Sequence, residues 1–210
     1  DIDPPNGYRI SGQGDGGILG TPRFIAPEVV RGEAAPGIQT DLFSLAVLLF
    51  YLFHIHHPLE GKKEAAIKCF DLPAMTKLYG TEPLFIFDPA DGSNRPVPGI
   101  HDNALEFWPL YPQFLRDRFT RAFTDGLRDP HERVRESEWR AALVQLRDAI
   151  LYCGQCGAEN FYDGEALRAS GGQPGSCWSC RQALTLPFRL RIGRGMVMLN
   201  HDTQLFPHHL

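Results

Sequence analysis

Residues 42 to 53 read LFSLAVLLFYLF. Wound into a helix, this run is apolar on every face, and a helix of that kind must be surrounded by protein. It falls short of the roughly 18 apolar residues that a membrane-spanning helix needs. The run is therefore expected to be the hub of a helical domain, and the rest of the chain must supply the layers around it. Asp41, just ahead of it, is a candidate N-cap, and HHPLEG (residues 56 to 61) ends it. The composition can build such a domain: 43% of residues are hydrophobic and 22% charged, an ordinary globular balance. A length of 210 residues suits one sizeable domain, or one domain and a small module.

The pass along the chain gives a mainly α protein up to residue 152. Residues 1 to 20 are rich in glycine and proline and read as a loop. Residues 62 to 79 read as one or two short helices, and EPLFIFDPADGSNRPVPGI (residues 82 to 100), with four prolines, as an irregular insert. LYPQFLRDRFTRAFTDGL (residues 110 to 127) carries a helical stripe of Phe114, Leu115, Phe119, Ala122 and Phe123. SEWRAALVQLRDAILY (residues 137 to 152) carries another, with Ser137 as a candidate cap. LTLPFRLRIGRGMVMLNHDTQL (residues 184 to 205) reads as short strands. The net charge of −4 points to neither nucleic acid nor a membrane surface as partner. DIDPPNGYRI has no basic n-region or apolar h-region of a signal peptide, so a cytoplasmic location is expected.

Five cysteines are present, and four of them form two C-x-x-C pairs: Cys153 with Cys156, and Cys177 with Cys180. Without secretory signals this favours metal binding over disulfides. The spacing C-x2-C-x20-C-x2-C places two turns of two thiolates each, which fills the tetrahedral shell of Zn2+ and leaves no open position. A closed shell implies a structural role. The segment, residues 151 to 183, resembles a zinc ribbon. Cys69, in a helical region, reads as a buried thiol. His54, His56 and His57 look like a metal cluster only superficially, because they sit where the central helix ends.

GTPRFIAPEVV (residues 20 to 30), TDLFSLAVLLFYLFHIHHPLEG and LRDPHERVRESEW occur in that order. They resemble the end of the activation segment, the buried central helix and the late arginine segment of a protein kinase. The resemblance covers residues 1 to 150 and implies a helical kinase C-lobe without the N-lobe. It implies that Glu28 of Ala-Pro-Glu pairs with Arg133, which explains a carboxylate set against Val29 and Val30. It gives Asp41 a second role, holding the catalytic loop through backbone hydrogen bonds. Phe43 and Ala46 stand where the family usually has tryptophan and glycine. Thr21 matches the threonine that serine/threonine kinases place beside the catalytic base. Asp1, or Asp3, of Asp1-Ile2-Asp3 stands where the magnesium-binding aspartate would be, although the triplet departs from Asp-Phe-Gly. Between Gly12 and Gly20 there is no hydroxyl residue, so the loop is not expected to be ordered by phosphorylation there.

No glycine-rich phosphate loop, strand lysine or His-Arg-Asp catalytic loop occurs in the chain. The resemblance therefore implies the later part of a serine/threonine kinase, inactive alone, whose full-length parent uses Mg2+ and ATP on a protein substrate. The style of the central helix, the insert and the appended ribbon resemble bacterial kinases that travel with a phosphatase and a von Willebrand factor A-type protein. Ile192-Gly193-Arg194, followed by short strands, resembles the opening of a forkhead-associated domain, so residues 184 to 210 read as the start of a β module. Two other readings stay open: a pseudokinase scaffold, favoured by the altered triplet, and a protein-interaction module carried by the zinc ribbon and tail.

Overall fold

The computed structural model describes residues 23–193 and 195–209. It divides into two compact units.

The first unit comprises residues 23–108 and 118–136 of the described chain. Its helices are α1 (Pro27–Val30), α2 (Ile38–His54), α3 (Lys62–Ala65), α4 (Leu72–Thr76) and α5 (Asp102–Phe107). It also holds the end of α6 (Gln113–Phe123) and α7 (Asp125–Arg128). A π-helical turn, Lys77–Thr81, follows α4. The central helix starts one turn earlier than the apolar run suggests. Gly37 is the N-cap; its N–H donates to Thr40 Oγ1 at 2.7 Å, and the hydroxyl donates back to the Gly37 carbonyl. Thr40 thus closes the turn, and Asp41, the candidate cap, lies within the first turn instead. The helix ends at Ile55, whose φ of 48° is a left-handed conformation that a β-branched residue rarely adopts.

One face of α2 supplies the core. Phe43, Ala46, Val47 and Phe50 are buried there. Phe50 meets Phe85, Phe119 and Phe123 edge to face, at ring separations of 5.8, 5.2 and 5.8 Å. Phe85 and Ile86 are fully buried, so the insert at residues 82 to 100 is part of the core. The opposite face is open: Leu48, Tyr51, Leu52 and Ile55 are exposed. Periodicity-free apolar sequence cannot tell which face finds a partner.

The second unit comprises residues 109–117 and 137–209. It holds the start of α6, most of α8 (Glu136–Asp148), β1 (Ile150–Tyr152), β2 (Glu159–Phe161), α9 (Gly164–Ala169), β3 (Phe188–Ile192) and β4 (Gly195–Leu199). The strands form two antiparallel hairpins, β1–β2 and β3–β4. The helical stripe read through Tyr152 stops at Asp148, because residues 150–152 pair with 159–161. Ser137 lies inside the helix, which begins at Glu136. Asp163 caps α9 through Glu165 N and Ala166 N and also accepts Gln113 N–H at 2.9 Å. Among the described residues no helix is long and apolar enough to cross a membrane.

Candidate functional site

The segment from Arg23 to Arg31 is held from both ends. At its far end Glu28, on α1, meets Arg133 in a bidentate pair at 2.7 and 2.8 Å, across 105 residues. The Arg133 side chain is 2% exposed and that of Glu28 14%. Arg133 spends its other donors on the Gln39 carbonyl (2.8 Å) and the Gly126 carbonyl (3.1 Å). Its guanidinium lies 5.4 Å from the Phe43 ring centre, a cation–π distance. Burial works against the Glu28 carboxylate, but the Arg133 hydrogen bonds, its own backbone N–H and the Arg133 and Arg31 charges together hold its pKa below the usual range. Next to it, Arg31 Nη1 donates to the Gly80 carbonyl at 2.8 Å.

At the near end Arg23 meets Glu60 in a second bidentate pair, Nε to Oε1 at 2.8 Å and Nη2 to Oε2 at 2.6 Å. The buried Tyr79 hydroxyl also donates to Glu60 Oε1. His57 completes the cluster. Its Nδ1 accepts the Leu59 N–H at 3.2 Å, which leaves Nε2 to donate to the Arg23 carbonyl at 2.6 Å. Burial pushes His57 down to about 4, so it is neutral at neutral pH. Burial also opposes the Glu60 charge, but nearby His57, the Tyr79 hydroxyl and Arg23 hold the carboxyl below its usual range. With His57 neutral, Arg23 and Tyr79 carry that stabilisation at neutral pH.

The loop bearing Glu60 is itself braced. Fully buried Asn94 donates to the Leu59 and Leu84 carbonyls at 3.0 and 2.7 Å and accepts Lys63 N–H at 2.9 Å. Gly61 is required beneath it, because a Cβ there would stand 2.1 Å from the Asn94 carbonyl oxygen.

In the second unit the four cysteine sulfurs lie within 4.8 Å of one another. Cys153 Sγ is 3.6 Å from Cys180 Sγ, and Cys156 Sγ is 3.7 Å from Cys177 Sγ. Four thiolates at about 2.3 Å from a tetrahedral zinc ion would sit roughly 3.8 Å apart, so the spacing fits that ion. The backbone N–H groups of Cys156 and Gln155 point at Cys153 and lower its pKa. Those of Cys180 and Ser179, with the Asn160 amide at 3.5 Å, do the same for Cys177, which falls to about 6. Against the Gln182 N–H, desolvation and the three neighbouring thiols push Cys180 up to about 12. Crowded thiolates that cannot all ionise unaided are what a bound cation would relieve.

The remaining sequence candidates fall elsewhere. Asp1, Asp3, Thr21 and Arg194 lie outside the described residues. Asp41 is exposed. Cys69 is exposed rather than buried, because it lies in the bend between α3 and α4. The three histidines do not form a metal cluster. His54 Nδ1 contacts the Phe50 carbonyl and His56 Nε2 the Glu60 carbonyl, at 3.0 and 2.6 Å, while His57 is engaged as above. Tyr79, Asn94 and Asn160 carry no motif, and Glu60, although within the HHPLEG end of the central-helix segment, has no role that the sequence assigns. The polar residues inside PLEG and GSN, set among loop signals, are the only trace.

No protein-family model matches the chain. It is similar to the serine/threonine-protein kinase PkaB of Streptomyces coelicolor, 30% identical over 129 residues. The match covers 61% of this chain and 23% of that protein, so the chain spans less than a quarter of the relative's length. The relationship to a serine/threonine kinase is distant.

Proposed function

We propose that this chain is the substrate-binding part of the large lobe of a serine/threonine protein kinase, joined to a structural zinc module. The observation that carries the reading is the Glu28–Arg133 pair, which closes Ala26-Pro27-Glu28 onto α2 across 105 residues. The similarity to PkaB supports it. In this reading residues 1–150 belong to the lobe, 151–183 to a zinc ribbon and 184–210 to the start of a β module. The open apolar stripe of α2, Leu48, Tyr51, Leu52 and Ile55, is covered by the remainder of the catalytic lobe, since a contiguous exposed apolar patch marks an interaction surface.

The whole enzyme transfers the ATP γ-phosphate to hydroxyls of a protein substrate, and a phosphatase and a von Willebrand factor A-type protein are its partners. Asp1, or in its place Asp3, supplies the carboxylate for magnesium, which neutralises charge on the phosphates when bound. Thr21 supports the base. Cys153, Cys156, Cys177 and Cys180 hold one zinc ion that joins the two turns.

The test is to purify the native full-length protein and supply magnesium, ATP and a generic protein substrate. Phosphoserine or phosphothreonine is expected, and Asp1→Asn should abolish it. Binding of ATP without transfer would favour the pseudokinase scaffold. Capture of the same partners by the full-length protein after the zinc cysteines are replaced would remove the ribbon as the interaction module.

A further inference from the structure

We propose that Glu60, backed by Tyr79, is a positioning residue for the segment that presents the protein substrate, acting through Arg23. The inference rests on the kinase reading. The segment carries a cation at Arg23 and an anion at Glu28, and each is bound two-pronged by an opposite charge on a different element. A slip of one residue in either direction would break both pairs at once. The segment is therefore fixed in a single register.

The two anchors are not equivalent. Glu28 fixes the end leading into α1. Among the described residues, the end next to Thr21 is fixed by the Arg23 cluster, through the side chain to Glu60 and through the carbonyl to His57. An exposed ion pair would add little, about 0–1 kcal/mol. This one differs on the carboxylate side: the Arg23 side chain is 41% exposed, but that of Glu60 only 10%. Tyr79 occupies Oε1 and stops the carboxylate from swinging away, and the Asn94 bonds hold the loop beneath. Guanidinium and carboxylate meet in the side-on geometry that a lysine could not reproduce. Because misplacement of about 1 Å can cost on the order of a hundredfold in rate, losing this anchor should be read in turnover of the protein substrate.

The experiment is steady-state kinetics on the native full-length protein with protein substrate and ATP varied separately. Glu60→Gln should lower kcat/KM for the protein substrate about tenfold or more, with KM for ATP unchanged. Tyr79→Phe, which keeps both charges, should give a smaller loss in the same parameter. The exchange Arg23→Glu with Glu60→Arg should recover most of what Arg23→Glu alone loses. Unchanged kcat/KM in Glu60→Gln, an equal rise in both KM values, or an exchange no better than the single variants would overturn the proposal. If the wild type transfers no phosphate, the kinase reading fails and the positioning role with it. Hydrogen exchange over residues 23–31 reports the anchor separately: faster in Glu60→Gln if Glu60 holds the segment, unchanged if it does not.

Discussion

Gly157 and Arg181 occupy the same place in two copies of one turn. The Gly157 N–H donates to the Cys153 carbonyl and the Arg181 N–H to the Cys177 carbonyl, both at 2.9 Å. Cys153 N–H reaches the Ala158 carbonyl as Cys177 N–H reaches that of Gln182. Both residues are left-handed, with φ of 75° and 62°. Glycine adopts that conformation freely, whereas a residue with a Cβ pays about 1–2 kcal/mol for it. Arg181→Gly should therefore stabilise the zinc-loaded protein by about 0.5–1 kcal/mol, after the greater entropy of glycine in the unfolded chain is deducted. Gly157→Ala should destabilise it by about 1 kcal/mol or more. Urea midpoints at saturating zinc decide both, and a lower midpoint for Arg181→Gly would contradict the account.

That the four cysteines could gather in one place was legible because they come as two local pairs, and their sulfurs do lie close enough to hold a metal ion. The central helix was legible from its apolar run, but not where it begins, since Thr40 rather than Asp41 closes the first turn. Glu28 and Arg133 are 105 residues apart; only resemblance to a family could name both. The Arg23–Glu60–Tyr79–His57 cluster was not legible. Arg23, His57 and Glu60 lie within the segments that carry the resemblance, but nothing in their local sequence joins them to one another or to Tyr79, and the fold alone brings them together. Asn160, which donates to Cys177, was hidden for the same reason. Residues 150–152 read as helix because the stripe continues into them, and pairing with β2 overrides that local preference.

Zinc removal should unfold the cysteine module. Its segment contributes few large buried side chains, with Leu151, Cys153 and Cys177 the most enclosed, so under the proposed zinc reading a bound metal would supply the folding energy; finger peptides gain about 10–16 kcal/mol from it. One zinc per chain is expected by elemental analysis. A strong chelator should release it with a change in the fluorescence of Trp178, whose indole N–H now bonds the Glu159 carbonyl at 2.7 Å. Cys177→Ser should prevent loading altogether. Full retention of the Trp178 signal in metal-free protein would contradict this.

Arg133→Ala should cost about 3–5 kcal/mol, because it strands a largely buried carboxylate and frees the Gln39 and Gly126 carbonyls as well. Arg133→Lys should recover only part of this, since an ammonium cannot serve Glu28 side-on and both carbonyls together. The double variant Glu28→Gln with Arg133→Ala should be less unstable than the two single losses summed. Chemical denaturation of the four proteins gives the coupling, and strict additivity would show that the pair does not act as one unit.

Stability should fall as pH drops from 6.5 towards 4, and the fall should be traceable to His54 and His57. Burial pushes each of them down to about 4 from an ordinary 6.5. Their folded state thus prefers the neutral ring, and the unfolded chain binds more protons throughout that interval. The contribution is fully present above 6.5, is lost progressively as pH falls, and levels off below 4. Each shift is on the order of 3 kcal/mol at its full extent. His54 is the cleaner probe, because its ring stacks on Phe50 at 4.0 Å and phenylalanine can keep that contact. Between pH 7 and 5, His54→Phe should lose less stability than the wild type does. Zinc loss at low pH affects both proteins alike and cancels in the difference. Parallel stability curves for the two proteins over that window would mean that His54 takes up its proton as readily in the folded state as in the unfolded chain, and the burial argument for it would fall.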